Sequence, residues 1–302
     1  MMRTRQQSKT FEKTSGRSLA RAALSTVAAA LTLIMSVEAA DAVTLDEVKA
    51  RGYITVAIAN EIPASYTDSN GEVKGSEAEV AVRVLDHMGI KPENIQWVVT
   101  TFGSLIPGLQ ANRFDMAAAG MAIRPERCQK VIYSEPNSTY GEGLLVPKGN
   151  PKNLHSYEDV AKLGTVAVMA GASQLKMMQA LGVPEDRIVT ISSNADALSA
   201  ITTGRADAYA AAYATAADLA KKSDKVESAS PFKDPLINGK VQRSWGGFTF
   251  NKDSTDLRDK FNEELLKFAK TEEFKQILLK YGATPESIAA IPDKSTKELC
   301  TE

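Results

Sequence analysis

Arg127 closes the run Ala119-Gly120-Met121-Ala122-Ile123-Arg124-Pro125-Glu126-Arg127, which follows a predicted strand. A guanidinium beyond the carboxyl end of a strand can clamp a carboxylate through its planar fork, and it can equally pair with a nearby surface glutamate. Gly171-Ala172-Ser173 lies between a predicted strand and a helix start. Amide groups there favour an anion, and the Ser173 hydroxyl can cap the helix or donate to a bound molecule. Few groups that break bonds stand beside these. The two histidines, His87 and His155, lack a partner at metal-ligand spacing, and no H-E-x-x-H, C-x-x-C, G-x-S-x-G or P-loop pattern occurs. Neither metal nor cofactor is expected, and the many carboxylates single out no catalytic pair.

The elements that must position these residues alternate in type. Residues 53–59 read as a strand, and Ser76-Glu77-Ala78-Glu79 matches a capping box ahead of a helix with Ala81, Val84, Leu85 and Met88 on one face. Strands at 95–99, 116–119 and 131–134 follow, with a helix through 105–111. The order then restarts, with strands at 165–169, 188–192 and 208–212 and helices at 173–181 and 195–203. Asn112-Arg113-Phe114-Asp115 and Gly204-Arg205-Ala206-Asp207 each follow an amphipathic helix and open an apolar strand. This is α/β grammar, and the echo implies two lobes of one plan. A strand at 245–251 and the apolar stripes Leu257, Phe261, Leu265, Phe268 and Phe274, Ile277, Leu278, Tyr281 complete the packing. Ligands of such folds favour the crevice outside the carboxyl ends of the strands.

Basic and acidic residues nearly balance, at 36 and 37, so no positive field recruits nucleic acid. Six basic residues (Arg3, Arg5, Lys9, Lys13, Arg17, Arg21) precede an uncharged run, 22–37, and small residues then permit cleavage after Ala39 or Ala42. That is a secretory leader over 1–42, too short in its apolar part to span a bilayer. Its loss moves the net charge from -1 to about -4, because it removes six basic residues and three acidic ones. In an oxidising compartment the remaining pair, Cys128 and Cys300, reads first as a disulfide that folds the tail back onto the first half of the chain.

Residues 43–302 resemble the family 3 extracellular solute-binding proteins, the type II periplasmic receptors of ATP-driven importers for polar amino acids and compatible solutes. The resemblance rests on Gly52-Tyr53-Ile54-Thr55-Val56-Ala57, on Phe102-Gly103-Ser104-Leu105-Ile106-Pro107-Gly108-Leu109-Gln110, on Arg124-Pro125-Glu126-Arg127, on Gly204-Arg205-Ala206-Asp207 and on the closing helix from Phe274 to Tyr281. Within the family, Ile58-Ala59-Asn60-Glu61, Pro125-Glu126-Arg127-Cys128 and Lys297-Glu298-Leu299-Cys300 are similar to ectoine and hydroxyectoine-binding proteins. The resemblance implies two Rossmann-like lobes, 43–144 with 250–302 and 145–249, joined by a two-strand hinge near 143–146 and 247–250. It implies a monomeric periplasmic receptor that closes on a small zwitterion and delivers it to a permease in the inner membrane. Arg127 would bind the ligand carboxylate, Glu61 its cationic nitrogens, and Phe102 one wall of an aromatic box. Gly120, Ser173 and Tyr213 would complete the cleft. The other two box positions fall at Ala64 and Ala122, so Tyr66, Tyr213 or Trp245 would have to close the box, and the enlarged pocket favours a bulkier zwitterion.

Two rivals share this reading of the fold. An exported enzyme, a dehydratase or murein-cleaving relative, would use Glu61 as its acid or base. A sensor module feeding a membrane kinase would bind a ligand without a permease partner.

Overall fold

Short runs rich in valine, isoleucine and alanine, each ended by a turn, build two mixed sheets in a computed structural model that describes residues 43–301. The expected leader, 1–42, lies outside the described residues. In the first sheet Ile54–Ile58 runs parallel to both Ile95–Val99 and Met116–Ala122. Ser244–Asn251 joins antiparallel to Met116–Ala122 and takes Val131–Tyr133 and Ser138–Tyr140 as further antiparallel partners. The second sheet repeats the plan: Val166–Met169 lies parallel to Ile188–Ile191 and Ala208–Ala212, and Glu142–Pro147 pairs antiparallel with Ala208–Ala212 and Val226–Ser228.

The sequence echo has an atomic counterpart. Asp115 Oδ2 accepts from Thr55 N and Oγ1 at 2.6 and 2.8 Å, and Asp207 Oδ2 accepts from Thr165 N and Oγ1 at 2.7 and 2.8 Å. Each aspartate thus ties the start of its own strand to the start of the strand beside it, and each is paired with a base, Arg51 or Lys152. Chance similarity of alanine-rich sequence would not reproduce that geometry twice.

Both sheets are covered on both faces, as their continuous apolar strands require. Phe248 and Phe250 pack edge-on against Phe261 at 4.8 and 5.4 Å, binding the long Thr255–Phe268 helix to one face of the first sheet. Leu105, Leu109, Phe114 and Tyr133 fill its other face, where the bonded pair Cys128–Cys300 anchors the tail. In the second sheet Tyr157, Val160 and Met178 fill one side and Tyr209, Ala200 and Leu219 the other.

The chain crosses between sheets at Gly141, between Ser138–Tyr140 and Glu142–Pro147, and returns at Gln242 and Arg243 ahead of Ser244–Asn251. All of Ser244–Asn251 therefore belongs to the first sheet, whereas the resemblance placed the division at 249 and the hinge within 247–250. The crossings lie a few residues earlier because Ser244, Trp245 and Gly246 already pair with Tyr140, Thr139 and Ser138.

The expected capping box at Ser76 is not formed. The Ser76–His87 helix has Gly75 as its N-cap, and the amides of Ser76 and Glu77 donate to the carbonyls of Pro63 and Ala64 at 3.0 and 2.9 Å. With those amides satisfied, Glu79 turns instead to Lys280 and Tyr281.

Candidate functional site

A cavity of about 480 Å³ lies between the two sheets, walled by the segments that follow their parallel strands. Glu61 follows Ile54–Ile58, Phe102 follows Ile95–Val99, and Gly120 and Arg127 come from Met116–Ala122 and the turn beyond it. From the second sheet, Ala172 and Ser173 follow Val166–Met169, and Tyr213 and Thr215 follow Ala208–Ala212. This is the crevice that open α/β sheets offer a ligand.

Arg127 is the cationic group held from both sheets. It is buried, its Nη1 donates to the Ala122 carbonyl and its Nη2 to the Gly171 carbonyl, both at 2.8 Å, and its guanidinium lies 5.6 Å from the Phe102 ring centre. Two of its five N–H donors are thus engaged and the fork is held rigid against an aromatic wall. A second bond between the halves runs from Thr215 Oγ1 to the Ile62 carbonyl at 3.3 Å.

The acidic groups outnumber it. Burial pushes the Glu61 carboxyl up to about 7, and none of the described residues donates to it. Glu77 and Glu142 are buried more deeply, and desolvation raises each to about 7 even though neutral donors hold them. Glu77 accepts from Asn137 Nδ2 at 2.7 Å and Ser138 Oγ at 3.1 Å; Glu142 accepts from Gln174 Nε2 at 2.6 Å and Tyr157 OH at 3.1 Å. Tyr140 stands among them, donating to the Gly120 carbonyl at 3.0 Å. Among the described residues no group of three or more metal-ligating side chains is assembled, and no helix is long and apolar enough to cross a membrane.

Residues 54–284 match the model for bacterial extracellular solute-binding proteins, family 3. The chain belongs to that family. Its relatives include a probable amino-acid ABC transporter periplasmic-binding protein of Sinorhizobium fredii, 77% identical over 92% of this chain and 93% of the relative. Among solved structures, EhuB in complex with hydroxyectoine is 31% identical with a TM-score of 0.77, over 86% of this chain and 98% of that one. An ancestral amino acid-binding protein, AncCDT-1, a precursor of cyclohexadienyl dehydratase, is 30% identical with a TM-score of 0.67, over 79% of this chain and 98% of that one. The fold is therefore that of the type II periplasmic binding proteins, as the sequence resemblance implied.

In this solute-binding protein Glu61, Phe102, Gly120, Arg127, Ser173 and Tyr213 all line one cavity, with Tyr213 at its exposed rim. Tyr66 and Ala122 do not line it. Tyr66 sits in the Tyr66–Thr67 strand paired with Val73–Lys74, and Ala122 is covered by Arg127 and Tyr133, which both donate to its carbonyl. Of the two positions expected to lack box aromatics, only Ala64 faces the cavity. Trp245 is turned away, donating to the Ala290 carbonyl at 3.0 Å. Ser173 caps nothing: Ala172 is the N-cap of Ser173–Ala180, which leaves the hydroxyl beside the cavity.

Sequence reasoning missed Glu77, Tyr140, Glu142, Gln174 and Tyr209, all on the cavity wall. The capping-box pattern disguised Glu77 as an ordinary first-turn acid. Glu142 did carry a signal, a lone charge heading the apolar run Gly143-Leu144-Leu145-Val146.

Proposed function

We propose that this protein is the periplasmic receptor of an amino-acid ABC importer, capturing a small zwitterion between two lobes and handing it to a membrane permease. The observation that carries the reading is the pairing of opposite charges on one wall: a clamped Arg127 and, on the same cavity, a Glu61 carboxylate without a side-chain partner among the described residues. Arg127 receives the ligand carboxylate, Ser173 and the amide end of its helix support it, Glu61 takes the cationic nitrogen, and Phe102 packs on the ligand's flank.

The Arg127 to Gly171 and Thr215 to Ile62 bonds support a closure mechanism, because each joins one lobe to the other. A ligand touching both lobes stabilises the closed form by its differential affinity. The crossings at Gly141 and at Gln242 with Arg243 serve as the hinge.

Ligand-induced stabilisation of the chain lacking 1–42 tests the reading, with polar amino acids, ectoine and hydroxyectoine offered in turn. A ligand present at 100 times its dissociation constant adds about 2.7 kcal/mol. The expected result is stabilisation by a zwitterion and its loss in Arg127→Ala. Recovery of a chemically altered ligand after prolonged incubation would favour the enzyme on this fold.

A further inference from the structure

Between the two sheets the chain meets itself at glycine. Gly103 lies in the Phe102–Ser104 turn that follows Ile95–Val99 of the first sheet, and the three nearest atoms beyond its own turn all belong to Ala170, which follows Val166–Met169 of the second. A Cβ at 103 would lie 3.2 Å from the Ala170 carbonyl oxygen and 3.5 Å from the Ala170 Cβ. The contact is reciprocal, because a Cβ on Gly171 would lie 3.1 Å from Gly103 Cα. Beside it Arg127 Nη2 reaches the Gly171 carbonyl at 2.8 Å, with the Phe102 ring against its guanidinium.

The two glycines are there for different reasons. Gly171 has a φ of +78°, a left-handed conformation that side chains resist. Gly103 has no such need, and glycine inside a helical turn costs chain entropy, so local structure does not account for it. The backbone facing it does. Packed backbone yields little, so added bulk at 103 moves the two halves apart instead. A separation of about 1 Å already stretches the bond from Arg127 to Gly171 beyond hydrogen-bonding range.

We propose that Gly103 and the Ala170-Gly171 turn form the stop at which closure ends, and that the size of residue 103 sets how tightly the closed cleft holds its ligand. The proposal rests on the receptor reading above. Neither Gly103 nor Ala170 lines the cavity, so the pair acts on a ligand only through the spacing of the two halves. A ligand enters while they are apart and is retained once they meet, which places the effect of the stop in ligand release.

Gly103→Ala and Gly103→Val test it by stopped-flow binding, with glutamine, arginine and ectoine as probes. The probe that wild type binds should dissociate about threefold faster from Gly103→Ala and about 100-fold faster from Gly103→Val, with association within about threefold of wild type. The ligand-free melting temperature should hold, because the nearest obstacle belongs to the other half. A Gly103→Cys, Ala170→Cys pair reads the contact directly. Its Cβ separation of 3.5 Å suits a disulfide, and the bonded Cys128–Cys300 pair leaves no other free thiol among the described residues. Oxidised glutathione should join the pair about tenfold faster with the probe bound, and the joined protein should no longer exchange it. Wild-type release from Gly103→Val, or thiols that stay free while the probe is bound, would overturn the stop and leave the receptor reading standing. If wild type binds none of the probes, the receptor reading falls and the stop with it. Should Gly103→Val fail to fold, the cysteine pair decides.

Discussion

Arg127 Nη2 reaches the Gly171 carbonyl at 2.8 Å, so the side chain that we propose holds the ligand, and that belongs to the first sheet, is also bonded to the second. In the proposed mechanism recognition and closure share one guanidinium. The Phe102 ring and the Ala122 carbonyl fix its plane, and the engaged donors leave the remaining N–H groups for a carboxylate.

Arg127→Lys should therefore separate charge from geometry. Lysine keeps the positive charge but has no fork to span Ala122, Gly171 and a ligand together. We expect affinity for the ligand to fall by about 100-fold, roughly 2.7 kcal/mol, with the fold retained. Small-angle scattering should also show a smaller ligand-induced compaction. Affinity within threefold of wild type would mean that Arg127 acts as a simple point charge.

Stability should depend on pH through the buried carboxyls. In the unfolded chain Glu77 and Glu142 titrate near 4.5, and in the folded protein burial holds them near 7. Between those values the folded state binds protons that the unfolded chain has released. Their contribution is complete below pH 4.5 and is lost as the pH rises through 7, on the order of 3 kcal/mol for each group. The ligand-free Tm should fall from pH 5 to pH 8, and Glu142→Gln should flatten that fall. A Tm that climbs over the same interval in wild type, with no change in the variant, is the outcome against it.

Much of this arrangement is legible in sequence. The strands come through because each is its own apolar run, and the Asp115 and Asp207 clasps appear as a repeated Arg-x-Asp before a strand. Arg127 and Ser173 are found because the position after a strand is itself a signal. Glu77, Glu142 and Gln174 are not, since their meaning comes from elements that meet only in three dimensions: the Ser76–His87 helix, the crossing after Gly141 and the Ser173–Ala180 helix. The Tyr157–Leu163 and Tyr213–Lys221 helices also escape, being short and burying only two residues each.

Reduction should reach the binding site through the tail. Cys128 ends the short helix that bears Arg127, and its bond to Cys300 spans 172 residues. The tail is held besides by Thr296, whose amide donates to Glu135 Oε2 at 2.9 Å and whose hydroxyl donates to the Ser134 carbonyl at 2.6 Å. The Cys128→Ser, Cys300→Ser double variant should consequently fold but lose about 2–4 kcal/mol. Its ligand affinity should drop as the Arg127 turn loosens. Urea denaturation and a binding isotherm on the same preparation measure both effects, and an affinity equal to wild type would uncouple the tail from the site.

Gly75 offers the sharpest test of how the cavity wall is built. Its φ is +120°, a conformation that side chains resist, and an added Cβ would strike the Ala64 carbonyl and the Ser65 Cα. The same turn carries the amide bonds from Ser76 and Glu77 that dock the Glu61-to-Ser65 loop onto the Ser76–His87 helix. Gly75→Ala cannot be accommodated by moving one flexible side chain, because the obstacle is backbone on a segment that presents Glu61 and Ala64 to the cavity. We expect a loss of about 2–4 kcal/mol from strain and displaced hydrogen bonds together. Ligand affinity should fall with it, although residue 75 is not on the cavity wall. Serine at 76 is the internal control: Ser76→Ala removes a side chain that caps no helix and should cost less than about 0.5 kcal/mol, where a working capping box would cost about 1. Equal losses at 75 and 76 would mean that the helix start, rather than the docked loop, sets the geometry around Glu61.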